Sequence, residues 1–293
     1  MSSEWPNLFL IGAPRCGTTT LHAALGRHPQ VFMSPVKEPF FFVPLRREEV
    51  GRRRIYDERG YLSLFAGAQD EPVRGESSAT YLWTDSVPAR IRAVRPDAKI
   101  VVILREPVER AYSHYLLARR ELLETRPFLQ AIEEDLRGAE PPQGVAALRA
   151  LLPGASSIYV DPSRYCESLT RWLDTFGDSV LVLFYEEAFR DPRGALRRIF
   201  ELVGVAPELA DRIELPELNP YARHRNRLAR ALFGSRVLRR LAPGLYGWQP
   251  FQRLLLVRDA KPAIDPEARR VLEPIYAGER PCLRKLLGVE PPW

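Results

Sequence analysis

The chain of 293 residues has little of what builds covalent or metal-held scaffolds, with only three cysteines and four histidines. Cys16, Cys166 and Cys282 are too few and too scattered for a disulfide framework or a zinc site, and no cluster of metal ligands appears. No apolar run approaches the roughly 18 residues that a membrane span requires. The stretch Met1–Asn7 lacks the basic and apolar regions of a secretory leader, so a cytoplasmic protein without a membrane span is expected. There is no internal repeat and no linker-like break, which points to a single domain over residues 1–293. From Leu218 to Arg258 the chain has no acidic residue, while nine arginines crowd the segment with Tyr246, Trp248 and Phe251 among them. Such mixtures can bind nucleic acid or an anionic membrane surface. Neither a nucleic-acid fold motif nor one clean amphipathic face accompanies this one, so neither partner is expected and the segment reads as a cover over a site.

The rest of the composition is that of an ordinary globular protein, 45% hydrophobic and 27% charged. A net charge of +6 suits an anionic ligand, although a basic surface with no partner gives the same figure. The informative stretch is Asn7–Leu25. Leu8-Phe9-Leu10-Ile11 is a short apolar run of the kind buried on both faces of a sheet. A loop bounded by Gly12 and Gly17 follows, and Leu21, Ala24 and Leu25 resume at helical spacing. Strand, glycine-bounded loop and helix together make a phosphate cradle, because backbone N–H groups converge at a helix N-terminus where the helix dipole favours an anion.

Against the nucleotide-binding loop G-x-x-x-x-G-K-[ST], Gly12 and Gly17 fit, but Thr18 stands where the lysine belongs. That lysine reaches the β- and γ-phosphates, so its absence argues against hydrolysis of a nucleoside triphosphate. The cation sits inside the loop instead, at Arg15. Cys16, next to it, is either a thiol with a lowered pKa beside a cation or a small residue that the loop tolerates.

The run Arg15-Cys16-Gly17-Thr18-Thr19 resembles the phosphosulfate loop [KR]-x-G-[TS]-[TS] of sulfotransferases that use 3′-phosphoadenylyl sulfate. A second match lies downstream, where the apolar run Lys99–Leu104 ends at Arg105-Glu106-Pro107 and Ser113 follows about two helical turns later. The pattern R-[DE]-P-x-x-R-x-x-S resembles the family's 3′-phosphate site, with Arg105 and Ser113 as ligands. Glu38 lies in Lys37-Glu38-Pro39-Phe40-Phe41-Phe42, wedged between proline and aromatics. Desolvation there would raise its pKa and make it a better base at neutral pH. The resemblance implies the same role, since glycan sulfotransferases place a catalytic glutamate shortly before a Phe-Phe pair; a surface turn packed on the phenylalanines is the structural alternative. Glu76, Ser78 and Tyr81 are similar to a Glu-Lys-[ST]-x-x-Tyr segment of the family, with Ser77 in place of its lysine. Tyr165 falls near a tyrosine that touches adenine in the family, yet it also belongs to a helical stripe with Leu169, Trp172, Leu173 and Phe176.

The expected fold is α/β: a three-layer, P-loop-like domain with a central, mainly parallel sheet flanked by helices. Segment 44–60 reads as a mobile arginine-rich loop, and Pro141–Gly144 and Pro153–Ser157 as loops around a short inserted helix. The resemblance implies a sulfotransferase that moves a sulfuryl group from 3′-phosphoadenylyl sulfate to a hydroxyl or amine. The product is adenosine 3′,5′-bisphosphate, and no metal is needed. A glycan, a lipid or a secondary metabolite would fit as acceptor. Arg15 and Glu38 are the implied catalytic residues, and Arg15, Cys16, Gly17, Thr18, Thr19, Arg105, Ser113 and Tyr165 the implied cofactor contacts. A kinase or a non-catalytic nucleotide-binding protein with a degenerate P-loop is the alternative; the missing lysine and the lack of a clear Walker-B acid count against it.

Overall fold

A computed structural model describes residues 4–44, 55, 57–143, 145–146, 155–216, 221–235 and 249–293. Most of the arginine-rich loop at 44–60, the inserted helix near 144–154 and the middle of the acid-free segment therefore lie outside the described residues. Five strands form one parallel sheet: β1 (Leu8–Gly12), β2 (Val31–Met33), β3 (Val73–Ser77), β4 (Lys99–Leu104) and β5 (Val180–Phe184), in the order β2-β3-β1-β4-β5. Strand β1 is central, and every one of its residues is buried. Fully burying side chains such as Leu8, Phe9, Leu10 and Ile11 contributes about 1.5–3 kcal/mol each. Strand β5 is an edge and is only half-buried over Val180–Val182.

The helices flank this sheet: α1 (Thr18–Leu25), α2 (Val87–Val94), α3 (Pro107–Arg120), α4 (Phe128–Leu136), α5 (Tyr165–Phe176), α6 (Pro192–Val203), α7 (Arg227–Phe233), α8 (Pro266–Tyr276) and α9 (Glu279–Leu287). A separate antiparallel pair, β6 (Ala222–His224) with β7 (Leu256–Arg258), carries the described part of the acid-free segment. Helices α5 and α6 close the main core through Leu169, Trp172, Leu196 and Phe200, while a second apolar cluster joins α3, α4 and α8.

The topology fixes where a ligand goes. After β1 the chain turns toward β2, whereas after β4 it turns toward β5. The connections diverge between β1 and β4, and the crevice at the carboxyl ends of those strands is the switch point at which open α/β sheets bind ligands. Cys166 and Cys282 are joined across α5 and α9, with Cα atoms 6.2 Å apart, a single bridge rather than a framework and one that the spacing of the three cysteines did not suggest. Their sequence separation of 116 hides a packing contact between two helices that Glu279 also links, by accepting from the Tyr165 and Cys166 N–H groups at 2.8 and 2.9 Å.

Candidate active site

The strand, glycine-bounded loop and helix form where the sequence placed them, and the glycines are required by space as well as by conformation. Gly12 has φ +154°, and a Cβ there would lie 2.9 Å from the Ala79 carbonyl oxygen. Gly17 has φ +88°, and a Cβ would strike the Phe189 ring at 2.4 Å. Gly17 is the N-cap of α1, which has no side-chain cap and no acidic residue in its first turn. Its N-terminal donors are thus left to an external acceptor. Helix α3 makes the opposite choice: Glu106 caps it, accepting from the Val108 and Glu109 N–H groups at 3.1 and 2.7 Å. An anion near α3 would be held by side chains, not by the helix end.

Those side chains meet the cradle across the sheet. Arg15 Nε donates to Ser113 Oγ at 3.3 Å, and Arg105 Nη1 donates to the Arg15 carbonyl at 3.4 Å. Arg105 lies over the Tyr185 ring, 4.5 Å from its centroid, and its buried Nε has no hydrogen-bond partner. A cavity of about 240 Å³ opens between them, walled by Arg15, Gly17, Thr18, Thr19, Arg105 and Ser113 together with Thr20, Arg120, Tyr185, Phe189, Tyr221 and Lys261. Four cations and no carboxylate face this space. Burial pushes the Arg15 guanidinium down to about 10, and the neighbouring Arg120 and Arg105 charges push in the same direction. A cationic cluster in this state is stabilised by a bound polyanion.

Two of the expected contacts sit behind the wall. Cys16 is fully buried, and burial pushes its thiol up to about 12, opposite to the activated thiol considered from sequence. Tyr165 is fully buried in the core stripe and donates its hydroxyl to the Arg105 carbonyl at 2.9 Å, so it braces an arginine of the cavity. Arg120, Tyr185, Phe189 and Lys261 line the cavity without a signal in the sequence, except that Tyr185 and Phe189 share one helical face just after β5.

Glu38 stands one strand away, outside the cavity wall. It has φ +62°, its N–H donates to the Ser77 carbonyl at 2.9 Å, and its Oε2 accepts from the Ala79 N–H at 2.9 Å. Lys37 Nζ donates to its other oxygen. The side chain is 28% exposed, so it is not the walled-in carboxylate that its aromatic neighbours suggested. That carboxylate is Glu76, completely buried at the end of β3. It accepts from Tyr61 and Tyr81 hydroxyls at 2.8 and 2.9 Å and from Ser78 Oγ at 2.8 Å, and burial lifts its pKa to about 7. The same Ser78 and Tyr81 oxygens accept from the Phe40 and Phe42 N–H groups, both at 3.3 Å. The network thereby pins the backbone that carries Glu38. His22 Nδ1 lies 2.8 Å from Ser77 Oγ, and burial together with Lys37 holds it down at about 4, a neutral ring at pH 7.

A P-loop-like α/β sheet with a cationic cavity at its switch point offers a site suited in charge and shape to a phosphorylated ligand. The sulfotransferase domain model matches residues 6–216, and the chain belongs to that family. It is 29% identical over 247 residues to carbohydrate sulfotransferase 15 of Mus musculus, covering 69% of this chain and 44% of that protein. To the human heparan sulfate glucosamine 3-O-sulfotransferase 3B1 it is 28% identical over 214 residues, covering 72% and 49%. The chain thus spans about half the length of the curated relatives it matches. The crystal structure of a sulfotransferase from Alicyclobacillus acidocaldarius superimposes with a TM-score of 0.69 at 26% identity, over 98% of this chain and 97% of that one. No helix among the described residues is long and apolar enough to cross a membrane, and no group of His, Cys, Asp and Glu there could hold a metal ion.

Proposed function

We propose that the chain transfers a sulfuryl group from 3′-phosphoadenylyl sulfate to a hydroxyl of a carbohydrate acceptor, within the wider expectation of a hydroxyl or amine on a glycan, lipid or secondary metabolite. The observation that carries the reading is the convergence of Arg15, Arg105, Arg120 and Lys261 with Ser113 on one cavity that no carboxylate enters, beside the uncapped start of α1. A nucleotide with phosphates at both ends of its ribose uses all of these groups. Arg15 with the N–H and hydroxyl groups of Thr18 and Thr19 takes the 5′-phosphate, and Arg105 with Ser113 takes the 3′-phosphate. Carbohydrate is favoured as acceptor by the two glycan-modifying relatives.

In the transfer, the acceptor oxygen forms a bond to sulfur while the bond from sulfur to the 5′-phosphate oxygen breaks. The electron pair leaves with the phosphate, and the acceptor proton passes to the Glu38 carboxylate. Charge grows on the leaving phosphate as that bond breaks, where Arg15 and the α1 donors are already oriented. Glu38 needs no mobile loop, because Ser77 and Ala79 hold its backbone and one oxygen. Tyr165 and Glu76 serve as positioning residues, one behind Arg105 and the other behind the Glu38 turn. The cytoplasmic expectation remains a proposal that the Cys166–Cys282 bridge opposes, since such bridges persist mainly in oxidising compartments. The test is incubation of the protein with 3′-phosphoadenylyl sulfate and a panel of saccharides. Adenosine 3′,5′-bisphosphate should appear in step with a sulfated saccharide, and release without any sulfated product would exclude the carbohydrate acceptor.

A further inference from the structure

A second cavity, of about 310 Å³, opens beside the first and shares Leu116, Arg120, Tyr221 and Ala222 with its wall. We propose that it is an anion subsite that recognises an acidic group, a carboxylate or a sulfate ester, carried by the carbohydrate acceptor; this rests on the donor and acceptor reading above. Five arginines line it and no carboxylate does. They come from three elements: Arg119 and Arg120 from the end of α3, Arg223 from β6, and Arg227 and Arg230 from α7. Convergence from separate elements is a property of the fold, not of one charge run along a helix.

The local counter-charges do not balance this cluster. Arg120 pairs with Glu121 at 3.1 Å and Arg223 with Asp259, while Arg119 donates to the Thr125 carbonyl. Among the described residues no carboxylate lies within ion-pair distance of Arg227 or Arg230. His224, whose Nε2 is 2.9 Å from the Arg120 carbonyl oxygen, is pushed down by burial and adds no anion. Asn226 caps α7 by accepting from the Ala229 N–H at 2.8 Å, which fixes the start of the helix that presents Arg227 and Arg230 one turn apart. Guanidinium forks pair two oxygens at once in carboxylates and sulfate esters. Leu116, Leu122 and the Tyr221 ring supply the apolar wall that the C–H face of a sugar needs. The donor does not account for Arg119, Arg223, Arg227 and Arg230, none of which lines the first cavity; Arg120 alone is shared between the two.

The experiment compares wild-type protein with the double variant Arg227→Gln/Arg230→Gln, neither residue lining the donor cavity. Calorimetry measures adenosine 3′,5′-bisphosphate, then a uronic-acid hexasaccharide and the same hexasaccharide with its carboxyls reduced to alcohols, with and without bisphosphate present. The wild type should prefer the acidic form about tenfold, and the preference should collapse in the double variant and at high salt. Bisphosphate affinity should change less than about twofold between the two proteins. Equal affinity of the wild type for both hexasaccharides, or a preference that survives the double substitution, overturns the subsite. Competition between hexasaccharide and bisphosphate also overturns it, by making the basic cavity part of the donor site. A wild type that prefers the acidic hexasaccharide but binds no bisphosphate keeps the subsite and overturns the donor reading alone.

Discussion

At the scale of single residues the proposed transfer gives roles to three side chains, Arg15 and Glu38 at the reacting groups and Glu76 behind them, and each makes a separable prediction. The proposed transfer puts Arg15 against the developing leaving-group charge, so Arg15→Ala should lower kcat about 10²–10³-fold at saturating donor. Arg15→Lys keeps the charge and should retain substantial turnover; an unchanged kcat in the alanine variant would make Arg15 a binding residue only. Glu38→Gln preserves the acceptor for the Ala79 N–H while removing the proton acceptor. It should bind the bisphosphate normally yet turn over about 10²–10⁴-fold more slowly, and full activity would place the base elsewhere. Glu76 behaves differently, because its charge is what burial opposes. Its folded pKa of about 7 exceeds the ordinary value of 4.5, so the folded protein binds more protons than the unfolded chain between those pH values. Stability relative to Glu76→Gln should therefore be greatest below pH 4.5, decline as pH rises through 7, and level off above it, a span of up to about 3 kcal/mol. Denaturant titrations of both proteins between pH 4.5 and 8 check the sign, and parallel curves would show that Glu76 ionises without penalty.

The loop between β1 and α1 shows what an element adds to its residues. Gly17→Ala forces a left-handed backbone on a residue with a Cβ and drives that Cβ into Phe189. It should lower stability by roughly 1–3 kcal/mol and weaken bisphosphate binding. Adding Phe189→Ala should restore part of the stability, since the clash is then gone and only the strained φ remains; no recovery would assign the whole cost to the backbone. This loop was legible in the sequence because its strand, glycines and helix are contiguous, so local pattern alone describes it. The pairing of Arg15 with Ser113, 98 residues away, was legible only through the likeness of two motifs to one family. Lys261 and Arg120 were not, because a cation in a basic surface looks the same whether or not a sheet edge turns it toward a cavity. Glu38 and Glu76 show the converse difficulty. Sequence neighbours suggested that Glu38 was enclosed, whereas tertiary contacts from Tyr61 and Tyr81 enclose Glu76 and leave Glu38 paired and part exposed.

For the whole molecule, the parallel sheet order brings the uncapped start of α1 and the Arg105 and Ser113 side chains of the β4–α3 unit to one switch point, and Tyr221, Ala222 and Lys261 of the C-terminal segment supply further wall. The α5–α9 link ties that segment back to the helix that holds Arg105. Denatured without reductant, the protein should therefore release one titratable thiol, Cys16, and three only after reduction. Three thiols without reductant would mean that α5 and α9 are held by packing and Glu279 alone. On the proposed reading, one cavity grips a nucleotide at both of its phosphate ends. Calorimetric titration of adenosine 3′,5′-bisphosphate, adenosine 5′-monophosphate and ATP into the same protein tests it most directly. With Arg105 and Ser113 on the 3′-phosphate, at about 1.5–3 kcal/mol for each charge-assisted hydrogen bond, the bisphosphate should bind at least about tenfold more tightly than the monophosphate and more tightly than ATP. Equal affinity for the bisphosphate and the monophosphate, or a preference for ATP, would contradict it.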